Sequence, residues 1–383
     1  MFSTNPFYRI RADCLSAIDS HKILNSLLFT GVLQTEFMQA LILAGGKGTR
    51  LRPLTVYTPK PIVPVLNKPF LLYQIEILRR AGIKDITLSL SYQPDKIEHL
   101  LGDGAEYGVN LRFVTEPSPM GTGGAYKYAA AEIRETTIVF NGDIITDLDI
   151  SKVIELHKEK QAEATIALVP VENPSVYGLV ETDAEGRVTR FREKPKPEEI
   201  AELTTNNINA GIYVLEPSIL DLIPKGENRS FEYNVFPDIL SNQKPFYAYI
   251  IENNYWRDIG TPASYLELHH DFTKGKIKGF EIERKNNADV ATAAIVDKNS
   301  VIGDDCIIKP NARVFNSILG AGVHVEERAI IENSVIWSHA RISSGTEIRD
   351  AIVGRSCYLG KNVSVSNGAV LGDKTSLTDY TKV

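Results

Sequence analysis

Two patterns of hydrophobic positions follow one another along the chain. From Ala40 to about Asp271, short β-rich apolar runs alternate with segments whose apolar residues recur at helical spacing. This alternation is typical of a parallel sheet covered by helices on both faces. Four successive strands are predicted at Leu41 to Leu43, Thr87 to Leu90, Leu111 to Val114 and Ile138 to Asn141. We therefore expect a doubly wound α/β fold, Rossmann-like and with a mainly parallel sheet.

An amphipathic helix is predicted between the first two strands. Pro69 stands at its expected start and Gly82 lies past its expected end, which is where proline and glycine are favoured. The apolar residues recur at the spacing of one helical face. That face is formed by Leu71, Leu72, Ile75 and Leu78.

The second pattern begins after Gly279 and repeats aliphatic residues at spacings of six, six and five. Successive sets of three lie 17 residues apart. Hexapeptide repeats of this kind wind a three-sided, left-handed parallel β-helix whose coils stack on one another. About four coils fit between Ser300 and Leu377. The inward positions are Ile302, Ile308, Val314, Leu319, Val325, Ile331, Ile336, Ile342, Ile348, Val353, Leu359, Val365 and Leu371.

These patterns predict an α/β domain at residues 38–279 and a β-helix domain at residues 280–383. Residues 1–37 form an N-terminal extension that fits neither pattern. We hypothesise that Met38, immediately before the first strand, is the initiator and that the extension comes from a mis-called start. The alternative is a helical extension used in assembly. The short apolar run within the extension follows charged residues and lacks a cleavage site, so a secretion signal is not expected.

Composition narrows the range of partners and compartments. The 383 residues are 43% apolar and 23% charged with a net charge of −6, which indicates an ordinary globular protein and argues against nucleic acid as a partner. No membrane association is expected. Cys14, Cys306 and Cys357 are odd in number and lack metal-ligand spacing, which indicates free thiols in a reducing cytoplasm. Cys306 and Cys357 lie three coils apart, at about 4.8 Å per coil, too far for a disulfide.

A glycine-rich turn follows the first predicted strand, where ligands bind in such sheets. The glycines between Leu43 and Arg50 allow backbone N–H groups to approach a bulky anion. Arg50 supplies a planar donor fork and Lys60, in a proline-braced segment, supplies a point charge. The spacing matches neither the P-loop nor the dinucleotide fingerprint. The turn therefore predicts a polyphosphate site of another kind.

The string from residue 43 to residue 64 resembles the signature of the sugar-1-phosphate nucleotidyltransferases, most of all the mannose-1-phosphate guanylyltransferase branch. The resemblance extends from Met38 to the C-terminus. It implies attack of a hexose-1-phosphate oxygen on the α-phosphorus of a nucleoside triphosphate, giving an NDP-sugar and pyrophosphate. It also implies that Arg50, Lys60 and Asp143 are catalytic. The nucleotide-binding residues that it implies are Leu43, Ala44, Gly45, Gly46, Gly48, Thr49, Arg50, Lys60, Gly121 and Asn141.

The same resemblance assigns a metal and a sugar site. Asp143 and Asp258 would hold Mg²⁺, a hard cation that prefers carboxylate and phosphate oxygens. Glu193 would accept hydrogen bonds from sugar hydroxyls, and Lys194 would pair with the sugar phosphate. The sugar-binding residues implied in this way are Gly178, Glu193, Lys194 and Asn209. No histidine falls inside a motif, and His269 and His270 are expected at a helix surface or cap.

Three questions stay open at this point. The strings at 231–237 and 256–262 favour GTP with mannose-1-phosphate, while glucose-1-phosphate with dTTP or UTP is the alternative. A second alternative is a non-catalytic regulatory subunit that binds a nucleotide sugar. A third gives the β-helix an acyltransferase activity, although such coil arrays are generally longer. We expect the β-helix to serve in assembly or regulation, with a homo-oligomer formed through it.

Overall fold

The computed structural model describes residues 38–195, 205–284 and 287–383. The hypotheses about residues 1–37 and the thiol of Cys14 lie outside the described residues. We refer to the α/β region that precedes the β-helix as the first part. Its helices are α1 Leu71–Arg80, α2 Pro94–Leu101, α3 Gly121–Ala129, α4 Ile150–Glu159, α5 Phe236–Ser241 and α6 Pro262–Thr273. Its strands are β1 Gln39–Leu43, β2 Pro64–Val65, β3 Lys68–Pro69, β4 Asp85–Leu90, β5 Asn110–Thr115, β6 Thr137–Asn141, β7 Ile144–Thr146, β8 Ala164–Pro170, β9 Gly178–Thr182, β10 Val188–Glu193, β11 Asn207–Leu215, β12 Phe246–Ile250 and β13 Trp256–Asp258.

Nine of these strands form one twisted sheet in the order β10-β9-β11-β6-β1-β4-β5, with β8 beside β11 and β12 beside β8. The four strands predicted from the sequence, β6, β1, β4 and β5, are neighbours and run parallel. Strand β11 runs antiparallel to β6 and joins this parallel half to the rest. The predicted Rossmann-like α/β class is confirmed, with a mixed sheet. The carboxyl ends of β1 and β6 therefore lie side by side.

Helix α1 lies where the sequence predicted a helix, with a slightly later start. Pro69 belongs to β3, and the helix begins at Leu71 after Phe70. Leu71, Ile75 and Leu78 are fully buried in the core between sheet and helices, which explains the apolar face. The prediction for His269 was wrong, because α6 buries it completely.

The second part is a parallel β-helix made of three sheets with six, five and five strands. It begins at Asp289, one coil earlier than the repeat taken from Ile302, because Val290 and Val296 continue the six-residue spacing. Its strands are β14 Asp289–Val290, β15 Ile295–Val296, β16 Val301–Ile302, β17 Ile307–Ile308, β18 Arg313–Phe315, β19 Ile318–Leu319, β20 His324–Val325, β21 Ile330–Glu332, β22 Val335–Ile336, β23 Arg341–Ile342, β24 Glu347–Arg349, β25 Ile352–Val353, β26 Tyr358–Leu359, β27 Ser364–Val365, β28 Val370–Leu371 and β29 Ser376–Leu377.

The predicted inward aliphatic residues from Ile308 to Leu371 are buried in a single core that runs along the β-helix. Cys306 and Cys357 lie in the same core and are free, as predicted. Each coil pairs in register with the next, so that Ile308 stands beside Val325. The stability of this domain therefore comes from contacts between neighbouring coils.

Candidate active site

The glycine-rich turn is held in place by close packing against two loops. Gly48 has a φ of +61°, and a Cβ there would lie 2.9 Å from Cβ of Lys60. A Cβ on Gly45 would lie 2.8 Å from Oε1 of Glu116. Among the described atoms, none lies within 4 Å of a Cβ built on Gly46. Backbone conformation and packing therefore require glycine at position 48, Gly45 has side chains close behind it, and Gly46 borders open space.

A first cavity of about 300 Å³ opens beside this turn, at the carboxyl ends of β1 and β6. All the predicted nucleotide-binding residues line it except Gly45 and Gly121. Gly45 lies behind the turn, as its contact with Glu116 indicates. Those that line the cavity are Leu43, Ala44, Gly46, Gly48, Thr49, Arg50, Lys60 and Asn141.

Gly121 packs closely against the backbone of a neighbouring loop. It begins α3 with a φ of +70°, and a Cβ on it would lie 2.5 Å from the carbonyl oxygen of Arg229. Gly124 N donates a hydrogen bond to that same oxygen at 2.9 Å. Contacts with the segment around Arg229 therefore account for the glycine at position 121, and its predicted role toward the nucleotide base stays a prediction.

Lys60 and Asp143 form an ion pair at the mouth of the first cavity. Nζ of Lys60 donates to Oδ2 of Asp143 at 2.7 Å, and the lysine side chain is only 11% exposed. Asp143 emerges from the turn between β6 and β7, where Gly142 packs against the backbone of Leu43. The turn after β6 therefore brings a carboxylate next to the glycine-rich turn after β1.

Asp258 reaches the same place from a distant part of the sequence. Strand β13 pairs antiparallel with β7, which sets Asp258 opposite Ile144. Ile259 N then donates to the carbonyl oxygen of Asp143 at 2.9 Å. Oδ1 of Asp258 accepts a hydrogen bond from the hydroxyl of Tyr177 at 3.1 Å. Asp143 directly precedes β7 and Asp258 ends β13, so the two predicted metal-binding residues lie at the same end of this strand pair and line one cavity.

That second cavity measures about 910 Å³ and adjoins the first. Arg50, Asn141 and Asp143 line both cavities, so these residues mark the junction. The walls of the second cavity include all the predicted sugar-binding residues. These are Gly178, Glu193, Lys194 and Asn209.

Gly178 provides room for Glu193 on the neighbouring strand. The two residues pair across β9 and β10, and a Cβ on Gly178 would lie 2.7 Å from Oε2 of Glu193. Lys194 lies beside them with a φ of +46° and its Nζ 3.6 Å from Oε1 of Glu193. The glycine therefore allows the carboxylate to lie flat against the cavity wall.

Asn209 is held by a network that reaches the junction. Its Nδ2 donates to the hydroxyl of Tyr213 at 2.9 Å, and its Oδ1 accepts from Gly211 N at 2.9 Å. Tyr213 also accepts from Nδ2 of Asn141 at 3.5 Å. Gly211 has a φ of +75°, and a Cβ there would lie 2.9 Å from Nδ2 of Asn141. The Asn141 Oδ1 atom is buried, and no described residue donates a hydrogen bond to it.

The chain is similar in sequence to known proteins, and the similarity covers the segments that form this arrangement. The family model described as "Nucleotidyl transferase" matches residues 39–275, and one described as "EIF2B subunit epsilon LbH domain" matches residues 281–383. A mannose-1-phosphate guanylyltransferase of Mycobacterium tuberculosis is 36% identical over 309 residues, which are 78% of this chain and 84% of that protein. The chain belongs to the nucleotidyl transferase family.

Other relatives of this nucleotidyl transferase carry two kinds of name. A probable mannose-1-phosphate guanylyltransferase 2 of Oryza sativa subsp. japonica is 34% identical over 356 residues, 88% of this chain and 96% of the relative. A UTP–glucose-1-phosphate uridylyltransferase of Synechocystis sp. is 33% identical over 350 residues, 84% of this chain and 88% of the relative. The match at residues 281–383 agrees with the predicted left-handed β-helix.

Two residues that line these cavities are not among those predicted from the sequence. Thr122, in the first turn of α3, lines the first cavity, and Glu232 lines the second. The Thr122 hydroxyl donates to Oε2 of Glu232 at 3.1 Å and accepts from Phe231 N at 2.8 Å. Thr122 directly follows the predicted residue Gly121, and Glu232 lies in the string at 231–237. Neither could be chosen as a site residue until the fold brought the two segments together.

Two acidic side chains of the second cavity, Glu193 and Glu232, are poorly solvated. Burial raises the pKa of Glu193 above its ordinary value, and the negative charge of Glu232 raises it further. Burial also raises the pKa of Glu232, against the hydrogen bond from Thr122. Burial and then the charge of Asp258 raise the pKa of Tyr177 to about 12. The phenol of Tyr177 therefore keeps its proton and remains a hydrogen-bond donor to Asp258 near neutral pH.

In the described part of the chain, no cluster of three or more His, Cys, Asp or Glu side chains is arranged to bind a metal. The donor set at the junction is instead a pair of carboxylates, from Asp143 and Asp258. Mg²⁺ commonly binds through one or two carboxylates, substrate phosphates and several waters, so this pair fits it. Across the same residues, no helix combines the length and apolarity needed to cross a membrane.

Proposed function

We propose that this chain transfers a guanylyl group from GTP to mannose-1-phosphate, giving GDP-mannose and pyrophosphate. One observation carries the proposal: Arg50, Lys60 and Asp143 meet where a glycine-bordered cavity joins a larger polar one. The smaller cavity suits a triphosphate, and the larger suits a hexose. The names of several relatives favour this pair of substrates.

In the reaction, an oxygen of the sugar phosphate forms a bond to the α-phosphorus of the nucleotide. The bond between that phosphorus and the bridging oxygen to the β-phosphate breaks, and pyrophosphate leaves with the electron pair. A phosphate monoester is already a nucleophile, so no enzyme base or covalent intermediate is needed. The work of the protein is to align the two substrates and neutralise the charge that builds up between them.

Lys60 and Arg50 carry most of that neutralisation in our proposal. The Lys60 side chain is nearly buried and lines the first cavity. Because little solvent reaches it, its positive charge interacts more strongly with phosphate oxygens. Arg50 lies on the shared wall of both cavities and offers a forked donor to phosphate oxygens. The backbone N–H groups from Gly46 to Thr49 complete a cradle for the triphosphate.

Asp143 and Asp258 would hold Mg²⁺ at the junction. When bound, the cation would neutralise phosphate oxygens and help align them. Tyr177 orients Asp258 through the hydrogen bond from its hydroxyl, as groups behind a metal ligand commonly do. Lys60 donates a hydrogen bond to Oδ2 of Asp143 and so holds that carboxylate at the cavity.

The sugar would lie in the larger cavity. Glu193 offers carboxylate oxygens to hydroxyl groups, and Asn209 is fixed by its bonds to Tyr213 and Gly211. Lys194 would meet the sugar phosphate. Glu232, across the cavity, adds a further acceptor that distinguishes one hexose from another, because a hydroxyl with the wrong orientation leaves a buried carboxylate unpaired.

A matrix assay tests the proposal directly. The purified chain is incubated with each of four nucleoside triphosphates and each of several hexose-1-phosphates in the presence of Mg²⁺, and pyrophosphate release is measured. GTP with mannose-1-phosphate should give the highest kcat/KM. A preference for UTP or dTTP with glucose-1-phosphate would select the alternative substrates, in line with the name of the Synechocystis relative.

Absence of turnover with every pair, together with binding of a nucleotide sugar, would favour a regulatory subunit. The presence of Arg50, Lys60, Asp143 and Asp258 around connected cavities argues for catalysis instead. The β-helix match to a domain of an EIF2B subunit concerns residues 281–383 alone. This match therefore gives no information about the chemistry of the first part.

We also propose that the chain forms a homo-oligomer through its β-helix and works in the cytoplasm. Two of the three β-helix sheets carry fully exposed side chains, such as Arg341 in one and Glu347 in the other, which leaves surface for assembly. The free thiols of Cys306 and Cys357 suit a reducing compartment. Light scattering of the purified chain measures the oligomeric state, and a monomer at all concentrations would contradict the assembly proposal.

A further inference from the structure

The segment that carries both basic residues of the site is packed against the β-helix. We refer to residues 49–67, which include Arg50 and Lys60, as the basic loop. Val56 and Tyr57 are exposed, but five of its apolar side chains are fully or almost fully buried and belong to one cluster with side chains of the β-helix. The buried loop residues are Leu51, Leu54, Val63, Val65 and Leu66. The β-helix partners in that cluster are Val301, Ile318, Val335, Trp337 and Ile352.

These partners lie on the outer face of a single sheet of the β-helix, formed by β16, β19, β22, β25 and β28. In a strand, neighbouring side chains point to opposite faces, so Val335 faces outward because Ile336 belongs to the inner core. The corresponding outward residues of the β20 sheet include His324 and Arg341, which are partly or fully exposed. One face of the β-helix is thus apolar and covered, and both the basic loop and α6 belong to the cluster that covers it.

Polar contacts connect the same surfaces. Nδ2 of Asn67 donates to the carbonyl oxygen of Leu319 at 3.0 Å. Nε1 of Trp337 donates to the hydroxyl of Tyr265 at 3.0 Å, and that hydroxyl donates to the carbonyl oxygen of Pro64. Trp337 is 2% exposed and Tyr265 is fully buried. The indole is therefore connected through one phenol to the backbone of the basic loop.

Three side chains of the first part form hydrogen bonds with backbone atoms of that loop, one each at Pro64, Val65 and Leu66. The hydroxyl of Tyr265 donates to the carbonyl oxygen of Pro64, and the hydroxyl of Tyr73 donates to the carbonyl oxygen of Val65 at 2.9 Å. Leu66 N donates to Nδ1 of His269 at 3.4 Å. Burial lowers the pKa of His269 to about 3, so its ring stays neutral and keeps an acceptor nitrogen. The backbone from Pro64 to Leu66 is therefore fixed before any substrate binds.

A shift of Pro64 would be passed on to Lys60. Pro59, Pro61 and Pro64 restrict the backbone dihedral angles of the intervening residues. Val63 N also donates to the carbonyl oxygen of Lys60 at 3.2 Å. Because this segment is stiff, its backbone position sets where the Lys60 ammonium lies.

We propose that the covered face of the β-helix is a positioning surface for the active site, and that Trp337, through Tyr265, positions the basic loop so that Lys60 meets the reacting phosphates. The inference rests on the proposed function for the chemistry of Lys60. Trp337 touches no substrate cavity and is a positioning residue. The β-helix then contributes to turnover within one chain, independently of any role in assembly.

The test compares Trp337→Phe and Tyr265→Phe with the matched control Thr346→Val. Thr346 is buried in the β-helix away from the covered face, and its hydroxyl donates to the carbonyl oxygen of Gly360 at 2.6 Å. Tyr265→Phe and Thr346→Val each lose buried hydrogen bonding while nearly keeping the side-chain volume, and Trp337→Phe loses the indole donor together with part of its ring. We expect kcat to fall roughly tenfold for Trp337→Phe and further for Tyr265→Phe, because small misplacements cost turnover. Thr346→Val should keep kcat.

Two further measurements separate positioning from loss of stability. Combined with Lys60→Ala, Trp337→Phe should cause no additional fall in kcat, because the residue it positions is gone. Amide exchange of the basic-loop peptide should quicken in Trp337→Phe and not in Thr346→Val. Full additivity with Lys60→Ala, or wild-type kcat and exchange in Trp337→Phe, would overturn the proposal. A wild-type chain that releases no pyrophosphate with any substrate pair would refute the proposed function, while the exchange measurement would still test the positioning surface.

Discussion

Nζ of Lys60 lies 2.7 Å from Oδ2 of Asp143, although the two residues are 83 positions apart in the sequence. This ion pair joins the basic loop after β1 to the turn after β6. It forms at the junction of the two cavities, which is where the α-phosphorus of a nucleotide would meet a sugar phosphate in the proposed reaction. The following experiments test what this pair and its neighbours do.

Replacing Lys60 by alanine should lower kcat by about 100-fold or more, the scale of losing one charge partner in a transition state. Arg50→Ala and Asp143→Ala should have effects of the same order. Steady-state pyrophosphate release measures them. Lys152→Ala, which removes the same charge from the exposed first turn of α4, is the control and should retain wild-type kcat. A Lys60→Ala enzyme with near-normal turnover would remove Lys60 from the mechanism.

Chelation by EDTA should abolish turnover, and added Mg²⁺ should restore it. In Asp258→Asn the Mg²⁺ concentration for half-maximal rate should rise at least tenfold, because one anionic ligand becomes a neutral amide. The measurement is a Mg²⁺ titration at saturating substrates. Asp289→Asn, at an exposed position of the first β-helix coil, should follow the wild-type titration. An unchanged titration for Asp258→Asn would place the cation elsewhere.

Glu232→Gln should raise the free energy of unfolding near pH 7 and weaken sugar binding. A carboxyl with a raised folded-state pKa favours the folded protein while protonated, below its ordinary pKa of 4.5. It loses that contribution as the pH rises through the raised value. Glutamine mimics the protonated form at every pH, so its advantage should disappear as the pH falls toward 4.5. Urea unfolding at several pH values measures the stability.

The control for this experiment is Glu252→Gln, at an exposed position, which should match the wild type at each pH. The KM for the sugar phosphate should rise in Glu232→Gln and stay constant in the control. Such a residue, kept at a cost in stability, is typical of a functional site. A pH-independent stability difference would contradict the assigned burial of the carboxylate.

The thiols of Cys306 and Cys357 should react slowly with an aromatic disulfide reagent in the native protein. Both side chains are buried in the β-helix core, and burial raises the pKa of each thiol, so little thiolate is available for attack. In denaturant both should react at once. The measurement uses a Cys14→Ser background so that only these two thiols are counted. Rapid modification of either thiol in the folded chain would show that the coils open.

Much of the architecture could be read directly from local patterns. Strands β1, β4, β5 and β6 lie at the predicted places because short runs of β-branched and aliphatic residues specify buried parallel strands. The β-helix follows from its six-residue spacing, although its first coil was missed. Val290 lies at the exposed end of the β-helix, where a residue need not be aliphatic, so the repeat is harder to recognise there.

The candidate site was predicted less completely. The residues around Arg50 and Lys60 stand close together in a motif and could be named from it. Thr122 and Glu232 could not, since neither residue carries a signal until α3 and the segment beginning at Phe231 pack together. The burial of His269 was not predicted because the pattern of α6 gives no sign that the basic loop packs against this residue.

The sequence by itself determined the two kinds of fold, the glycine-rich turn and the identity of the charged groups, because each depends on residues within a few positions of one another. Only the tertiary structure decided that Asp258 lies beside Asp143, that Glu232 faces Glu193 and that Trp337 reaches Pro64 through Tyr265. These relationships depend on strand register and on packing between elements that are distant along the chain. Such contacts arise when the whole fold buries its apolar faces, and no local pattern encodes them.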